Sequence, residues 1–197
     1  KKLNTNYFGI GDLEVSFNDK YLAYSLDTKG SEYFTIHVRN IETNTLVTDK
    51  IEDTSGSVMF SLDDKFIFYS KLDENHRPRK IFRHEIGKPI KDDILIFEEK
   101  TKAFTVGIGL TSDEKYYLVT SSDHNTTEKY YFHVDEKIPE PKPIKKREKG
   151  IIYSINSWNN NFYMHTNKDA EDFKIDVSDS LTNQEWKTFI GPRDEVL

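Results

Sequence analysis

Cysteine is absent from the 197 residues. That excludes disulfides and cysteine-ligated zinc, and it permits a cytoplasmic address, which is the expected one. No apolar run approaches the roughly 18 residues that cross a bilayer as a helix, and Lys1-Lys2-Leu3-Asn4 is not followed by a signal-peptide apolar region. The first residue is not methionine, so the sequence is expected to be a piece of a longer protein, and the missing signal says little about that parent. Positive charge is outnumbered: 28 Lys and Arg against 34 Asp and Glu give −6 with the histidines neutral. Such a field does not favour a polyanion, so no nucleic-acid partner and no membrane partner are expected. Nowhere is there the 3.6-residue apolar period of a long amphipathic helix.

The motifs of catalysis are missing too. No G-x-S-x-G occurs, and without strand-to-helix turns no serine can sit on a nucleophile elbow. The six histidines, His37, His76, His84, His124, His133 and His165, show neither an H-x-H pair nor HExxH, so no metal and no cofactor is expected. His84 falls in register with Val38 and Val134 and reads as a half-buried, hydrogen-bonded core histidine rather than a ligand or base. The acid pairs Asp63-Asp64, Asp92-Asp93, Glu98-Glu99 and Glu171-Asp172 place neighbours on opposite sides of an extended chain. They make poor carboxylate dyads and read as turn and surface residues. Gly9/Gly11 and Gly107/Gly109 lack the third glycine and the helix of a dinucleotide site. Asn125-Thr126-Thr127 is a glycosylation sequon that its turn setting explains.

What is abundant is strand-forming sequence, in four copies. Tyr and Phe number 24, and the apolar runs are rich in Val, Ile and Thr. Ser61-Leu62-Asp63-Asp64-Lys65 leads into Phe66-Ile67-Phe68-Tyr69-Ser70 and on to Asp73. Asn18-Asp19-Lys20 leads in the same way to Asp27, Ser112-Asp113-Glu114-Lys115 to Asp123, and Trp158-Asn159-Asn160-Asn161 to Asp169. Lys20, Lys65, Lys115 and Asn161 are separated by 45, 50 and 46 residues, the length of one four-stranded propeller blade. The second strand of a unit is apolar on successive residues, as in Phe66 to Tyr69, whereas Phe34, Ile36 and Val38 alternate with Thr35, His37 and Arg39. Inner strands covered on both faces and outer strands with one wet face are the gradient of radially stacked sheets. The expected fold is therefore all-β: a partial β-propeller of about four antiparallel four-stranded blades at 10–51, 56–99, 103–147 and 151–190, with 191–197 opening another. Asp27, Asp73, Asp123 and Asp169 read as a repeated strand-closing turn, since catalytic groups are rarely repeated four times. The run from Ile138 to Lys149, with three alternate prolines and a basic cluster, reads as the outer edge strand of the third blade.

The run Asp73-Glu74-Asn75-His76-Arg77-Pro78-Arg79-Lys80-Ile81-Phe82-Arg83-His84-Glu85-Ile86-Gly87 resembles the β-propeller domain of oligopeptidase B (protease II), in the prolyl oligopeptidase family of serine peptidases. The likeness covers Leu22 to Glu32, Ile96 to Lys100 and Trp186 with Pro192-Arg193 as well. It implies a seven-bladed propeller over an α/β-hydrolase domain that carries the Ser-Asp-His triad, with the propeller as a gate for short peptides and cleavage after Lys or Arg. No catalytic or substrate-binding residue carries over to this chain, which is expected to be inactive alone; Arg77, Arg83 and His84 match the pattern without a transferable role. The alternative is a non-enzymatic, periplasmic TolB-like propeller that binds other proteins. A glycosidase-like propeller would need convergent carboxylates, and Glu14 alone is too little. Four blades of seven would leave apolar faces exposed, so the 197-residue chain is expected to self-associate.

Overall fold

The computed structural model describes residues 5–47, 50–182 and 185–192, so most of the expected extra blade at 191–197 lies outside the described residues. The chain divides into two compact units at the Ile108/Gly109 peptide. The first contains β1 (Gly9–Val15), β2 (Tyr21–Asp27), β3 (Phe34–Asn40), β4 (Thr45–Leu46), β5 (Ile51–Phe60), β6 (Phe66–Leu72), β7 (Pro78–Glu85) and β8 (Ile94–Glu98). After β9 (Thr105–Leu110), which spans the division, the second contains β10 (Tyr116–Ser122), β11 (Thr127–His133), β12 (Lys142–Pro143), β13 (Tyr153–Trp158), β14 (Asn161–Thr166), β15 (Lys174–Ser178) and β16 (Lys187–Ile190). β9 to β12 form one four-stranded antiparallel sheet and β13 to β16 another.

In the first unit the two expected sheets share a strand. The repeat spacing suggests a break between residues 51 and 56, but β5 runs through it. Its start pairs with β3 (Ile36 with Ile51, Phe34 with Thr54) and its end with β6 (Val58 with Tyr69, Phe60 with Ile67). One strand thus serves two blades, and the chain changes partner where Asp53 (φ 60°) and Gly56 (φ 95°) take left-handed backbone. A Cβ at Gly56 would lie 3.0 Å from the Phe34 ring, and one at Gly11 would lie 2.8 Å from the same ring. Both glycines therefore make room for Phe34, which accounts for the second glycine of the Gly9/Gly11 pair.

Turn chemistry explains where strands end. Ser16, Ser61, Thr111 and Ser157 occupy equivalent positions, and three residues on, Asp19, Asp64, Glu114 and Asn160 all have φ between 55° and 60°. The Ser61 hydroxyl accepts from the Phe66 amide (3.0 Å) and donates to Asp63 (2.7 Å). Ser16 repeats this with Tyr21 and Asn18 (both 2.9 Å), and Thr111 with Tyr116 and Asp113 (3.1 and 2.9 Å). Asp27 closes β2 by accepting from the amides of Lys29, Gly30 and Glu32. Asp73 and Asp123 act likewise on Asn75 and Asn125. The fourth copy differs: the residue after β14 is Asn167, whose side chain bonds Ile152 N and Gly150 O, while Thr166 accepts from Lys168 N. Asp169 stands two residues further on, with φ 55°.

Each unit buries its core between two blades. In the first, Ala23, Ile36, Val38, Ile51, Val58, Phe60, Ile67 and Tyr69 pack together; in the second, Leu118, Ile144, Tyr153, Ile155, Phe162, Met164 and Leu181. Successive residues are buried along β6 (Ile67 to Ser70) and β10 (Tyr117 to Val119), as the apolar runs lead one to expect. β2 and β14, in the first and last blades, bury only alternate residues. β12 is two residues long and pairs Pro143 with Tyr130, so the proline-rich run supplies an outer strand of minimal length. Among the described residues, no helix is long and apolar enough to cross a membrane.

Candidate functional site

The repeated turns do more than end strands. The Asp64 carboxylate accepts from the amides of Phe17 and Asn18, both at 2.8 Å, and so latches the turn of the second blade to that of the first. Asp12 adds a second tie, accepting from Val58 N (3.1 Å) while its own amide donates to Ser25 Oγ (2.9 Å). In the second unit the latch uses other residues at the same place. Ser157 donates to Asp113, Asn156 exchanges two 2.7 Å bonds with Ser112, and Lys115 reaches Asn160 (2.8 Å). Burial alone would raise the Asp113 carboxyl, but the hydroxyls of Ser157 and Thr111 outweigh it and hold the group below the ordinary carboxylate range.

A second polar group lies inside the first unit. His84 is fully buried, and its Nδ1 lies 2.7 Å from Asp93 Oδ1; the Tyr69 hydroxyl donates to Asp93 Oδ2 (2.8 Å). Burial, then the Asp93 carboxylate, raises the Tyr69 phenol far above its usual value. The Asp93 side chain is 5% exposed, which corrects the reading of Asp92-Asp93 as a surface pair. A single 3-10 turn, Ile90–Asp92, follows Pro89 and turns the chain so that Asp93 points inward. Glu99 and Asp64 are likewise the buried members of their pairs.

The Asp73 to Gly87 run is built as a hairpin with ties on both sides. Asp73 Oδ1 accepts from Arg77 N (3.1 Å), the Tyr33 hydroxyl donates to Asp73 O (3.0 Å), and Tyr33 packs on His76 at 4.2 Å. Arg79 places Nη2 2.7 Å from Glu99 O, and Lys80 pairs with Glu98 at 3.5 Å. Arg83 lies 4.2 Å over the Phe66 ring. The other histidines pack on aromatic rings or face solvent: His37 on Tyr24, His133 edge-on to Tyr116, His165 on Phe173, and His124 exposed. Burial, then the cations Lys50 and Arg39, holds His37 below its usual value. No group of three or more His, Asp or Glu able to hold a metal exists among the described residues.

One cavity in the second unit gathers charge from distant parts of the chain. It measures 190 Å³ and takes Lys145 and Lys146 from beyond β12, Lys168 and Lys174 from around β14 and β15, and Trp186 as a wall. Sequence reading treated the basic cluster as an edge device and so missed this grouping.

The Asp64, Asp12 and Asp113 ties join blade to blade, and residues 4–197 match the family described as prolyl oligopeptidase, N-terminal beta-propeller domain. The chain belongs to this family. The prolyl oligopeptidase propeller domain is all-β, and the four repeats are the blades of a partial propeller. Among curated relatives, dipeptidyl aminopeptidase BI of Pseudoxanthomonas mexicana is 28% identical over 98% of this chain and 27% of its own length. Protease 2 of Moraxella lacunata is 28% identical over 86% of the chain and 25% of its own. Among solved structures, oligopeptidase B from Leishmania major superposes with a TM-score of 0.90 at 20% identity, covering 96% of this chain and 27% of that one. Oligopeptidase B from Trypanosoma brucei, with covalently bound antipain in a closed form, gives 0.87 at 25% identity over the same shares. The chain thus spans about a quarter of the length of the relatives it matches. It belongs to the propeller part of a serine peptidase family, and the family match favours this over a TolB-like scaffold.

Proposed function

We propose that this chain is the substrate-gating, interdomain-packing propeller of a serine oligopeptidase whose complete chain cleaves short peptides after Lys or Arg. The match to the family's propeller over residues 4–197 carries the reading. The partner is then an α/β-hydrolase domain of the same parent chain, holding the triad and the acidic groups that select basic residues. The propeller contributes exclusion: stacked blades tied by latches such as Asp64 are rigid walls that admit a flexible peptide and reject a folded protein. The proposed address is the cytoplasm, which a chain without cysteine is free to occupy. The test is to assay the full-length parent and the 197-residue chain on fluorogenic peptides ending in Arg, Lys or Pro. The parent is expected to cleave after Arg and Lys at least about tenfold faster than after Pro, about 1.4 kcal/mol of transition-state preference, and the chain alone is expected to cleave none. A preference for Pro would overturn the basic specificity, and a folded parent without peptidase activity would overturn the enzymatic reading.

A second expectation concerns the chain by itself. Ile10, Leu13 and Val15 on the first strand and Phe17 just after it have 45% to 58% of their surface exposed, and Tyr7 and Phe8 precede them in the same state. Relatives about four times longer have more chain with which to cover such a face, whereas the 197-residue polypeptide has only a second copy of itself. We expect it to sediment as a dimer or larger species, and Leu13→Lys with Val15→Lys to return it to monomer. A concentration-independent monomer from the unaltered sequence would contradict this.

A further inference from the structure

We propose that the cavity walled by Lys145, Lys146 and Trp186 binds a small molecule through an oxyanion group, carboxylate or phosphate. In a chain of net charge −6, this one cavity collects four lysines against three carboxylates. Two of the lysines are matched within it: Lys168 pairs with Glu148, and Lys174 lies 3.3 Å from Asp176. Asp176 is further engaged by the Thr188 hydroxyl (3.0 Å), and Asp169 contributes its field to Lys168. Lys145 is different. The residue is half-buried, its ammonium stands 5.6 Å from the centre of the Trp186 ring, and no carboxylate lies within ion-pair distance of it among the described residues. Burial pulls it below the usual lysine value, with Asp176 and Glu148 acting against the shift and Lys168 and Lys174 adding to it. A partly desolvated ammonium without a directly bonded carboxylate gains most from an anion brought to it. Lys146 lines the same cavity and adds a second cation.

The cavity, 190 Å³ and open to solvent on one side, has room for one oxyanion group on a short stem. The indole supplies a flat wall for that stem, and its Nε1–H is buried with no acceptor among the described residues. Lys145 and Lys146 come from the segment after β12 and Lys168 and Lys174 from around β14 and β15, so an anion there would tie those segments together.

Trp186 makes the proposal measurable, because the only other tryptophan, Trp158, is exposed and can be replaced. In a Trp158→Phe background, Trp186 fluorescence is followed while inorganic phosphate or succinate is titrated at constant ionic strength set with sodium chloride. The expected result is a saturable change with at least one probe, weakened tenfold or more by Lys145→Gln and by Lys146→Gln. Lys149→Gln, outside the cavity, should bind as the background does, and Lys145→Arg should retain most of the affinity. Response to phosphate alone or succinate alone supports the proposal and names the ligand class. Absence of a saturable change with both probes overturns it, as does a change that Lys145→Gln leaves intact in a variant whose far-ultraviolet dichroism shows native sheet.

Discussion

Asp93→Ala is expected to cost about 2–6 kcal/mol of stability, because it strands two buried donors at about 1–3 kcal/mol each. The carboxylate is the common acceptor for His84 at 2.7 Å and Tyr69 at 2.8 Å, and both partners are shielded from water, with His84 at 0% and Tyr69 at 2% exposure. Water cannot replace the lost acceptor without opening the core that packs around Tyr69, Ile67 and Ile36. Asp93→Asn should recover part of the loss, since an amide keeps one accepting oxygen but cannot serve both partners as acceptor. Tyr69→Phe should cost only about 1 kcal/mol, the net worth of one hydrogen bond, because it removes the donor rather than stranding it. In the double variant the two effects should fall short of their sum by about 1 kcal/mol or more, as for residues of one network. Urea midpoints measure the four variants against the unaltered chain. A loss under 1 kcal/mol for Asp93→Ala would show that the network adds little to holding the first unit together.

Asp64→Ala is expected to cost about 3 kcal/mol, for two separable reasons. It removes the charged acceptor of the Phe17 and Asn18 amides, and hydrogen bonds to a charged group are worth about 1.5–3 kcal/mol. It also puts alanine at φ 55°, where a side chain with no local hydrogen bond costs about 1–2 kcal/mol. Asp64→Gly relieves the backbone term and leaves the lost latch, while Asp64→Asn tolerates the conformation and keeps a single accepting oxygen. The order of stability should therefore be Asp, Asn, Gly, Ala. Amide hydrogen exchange gives the local view: Phe17 and Asn18 should lose protection in the glycine and alanine variants. Unchanged exchange at those two amides would mean that the turns of the first two blades do not depend on each other.

The contrast between these two aspartates shows what sequence could and could not say. That Asp64 sits in a turn was legible, because Asn18-Asp19-Lys20, Ser61 to Lys65, Ser112 to Lys115 and Trp158 to Asn161 recur at the spacing of one blade with turn-forming Asp or Asn in each. A hydroxyl or carboxylate bonding an amide a few residues away is local chemistry, written in adjacent letters. So were the strands and their order, from the doubly buried run at Phe66 to the alternation at Phe34 to Arg39. The blade length followed from the repeat, and with it the propeller class. The strand β5 was harder: its outer and inner halves carry no turn strong enough to mark one blade from the next, only Asp53 and Gly56 changing the backbone's hand.

Tertiary structure alone decided the partners. Asp64 reaches across 46 and 47 residues to two backbone amides, which have no sequence signature at all. Asp92 and Asp93 look alike as letters, and only the 3-10 turn after Pro89 determines which one is turned toward His84. Lys145 and Lys146 belong to a basic cluster typical of an exposed edge, yet packing of the last two blades sets them beside Lys168, Lys174 and Trp186. Turns and strand periods act over a few residues and repeat, so they can be read from order. Contacts between blades depend on how sheets stack, and stacking joins positions whose separation along the chain carries no period of its own.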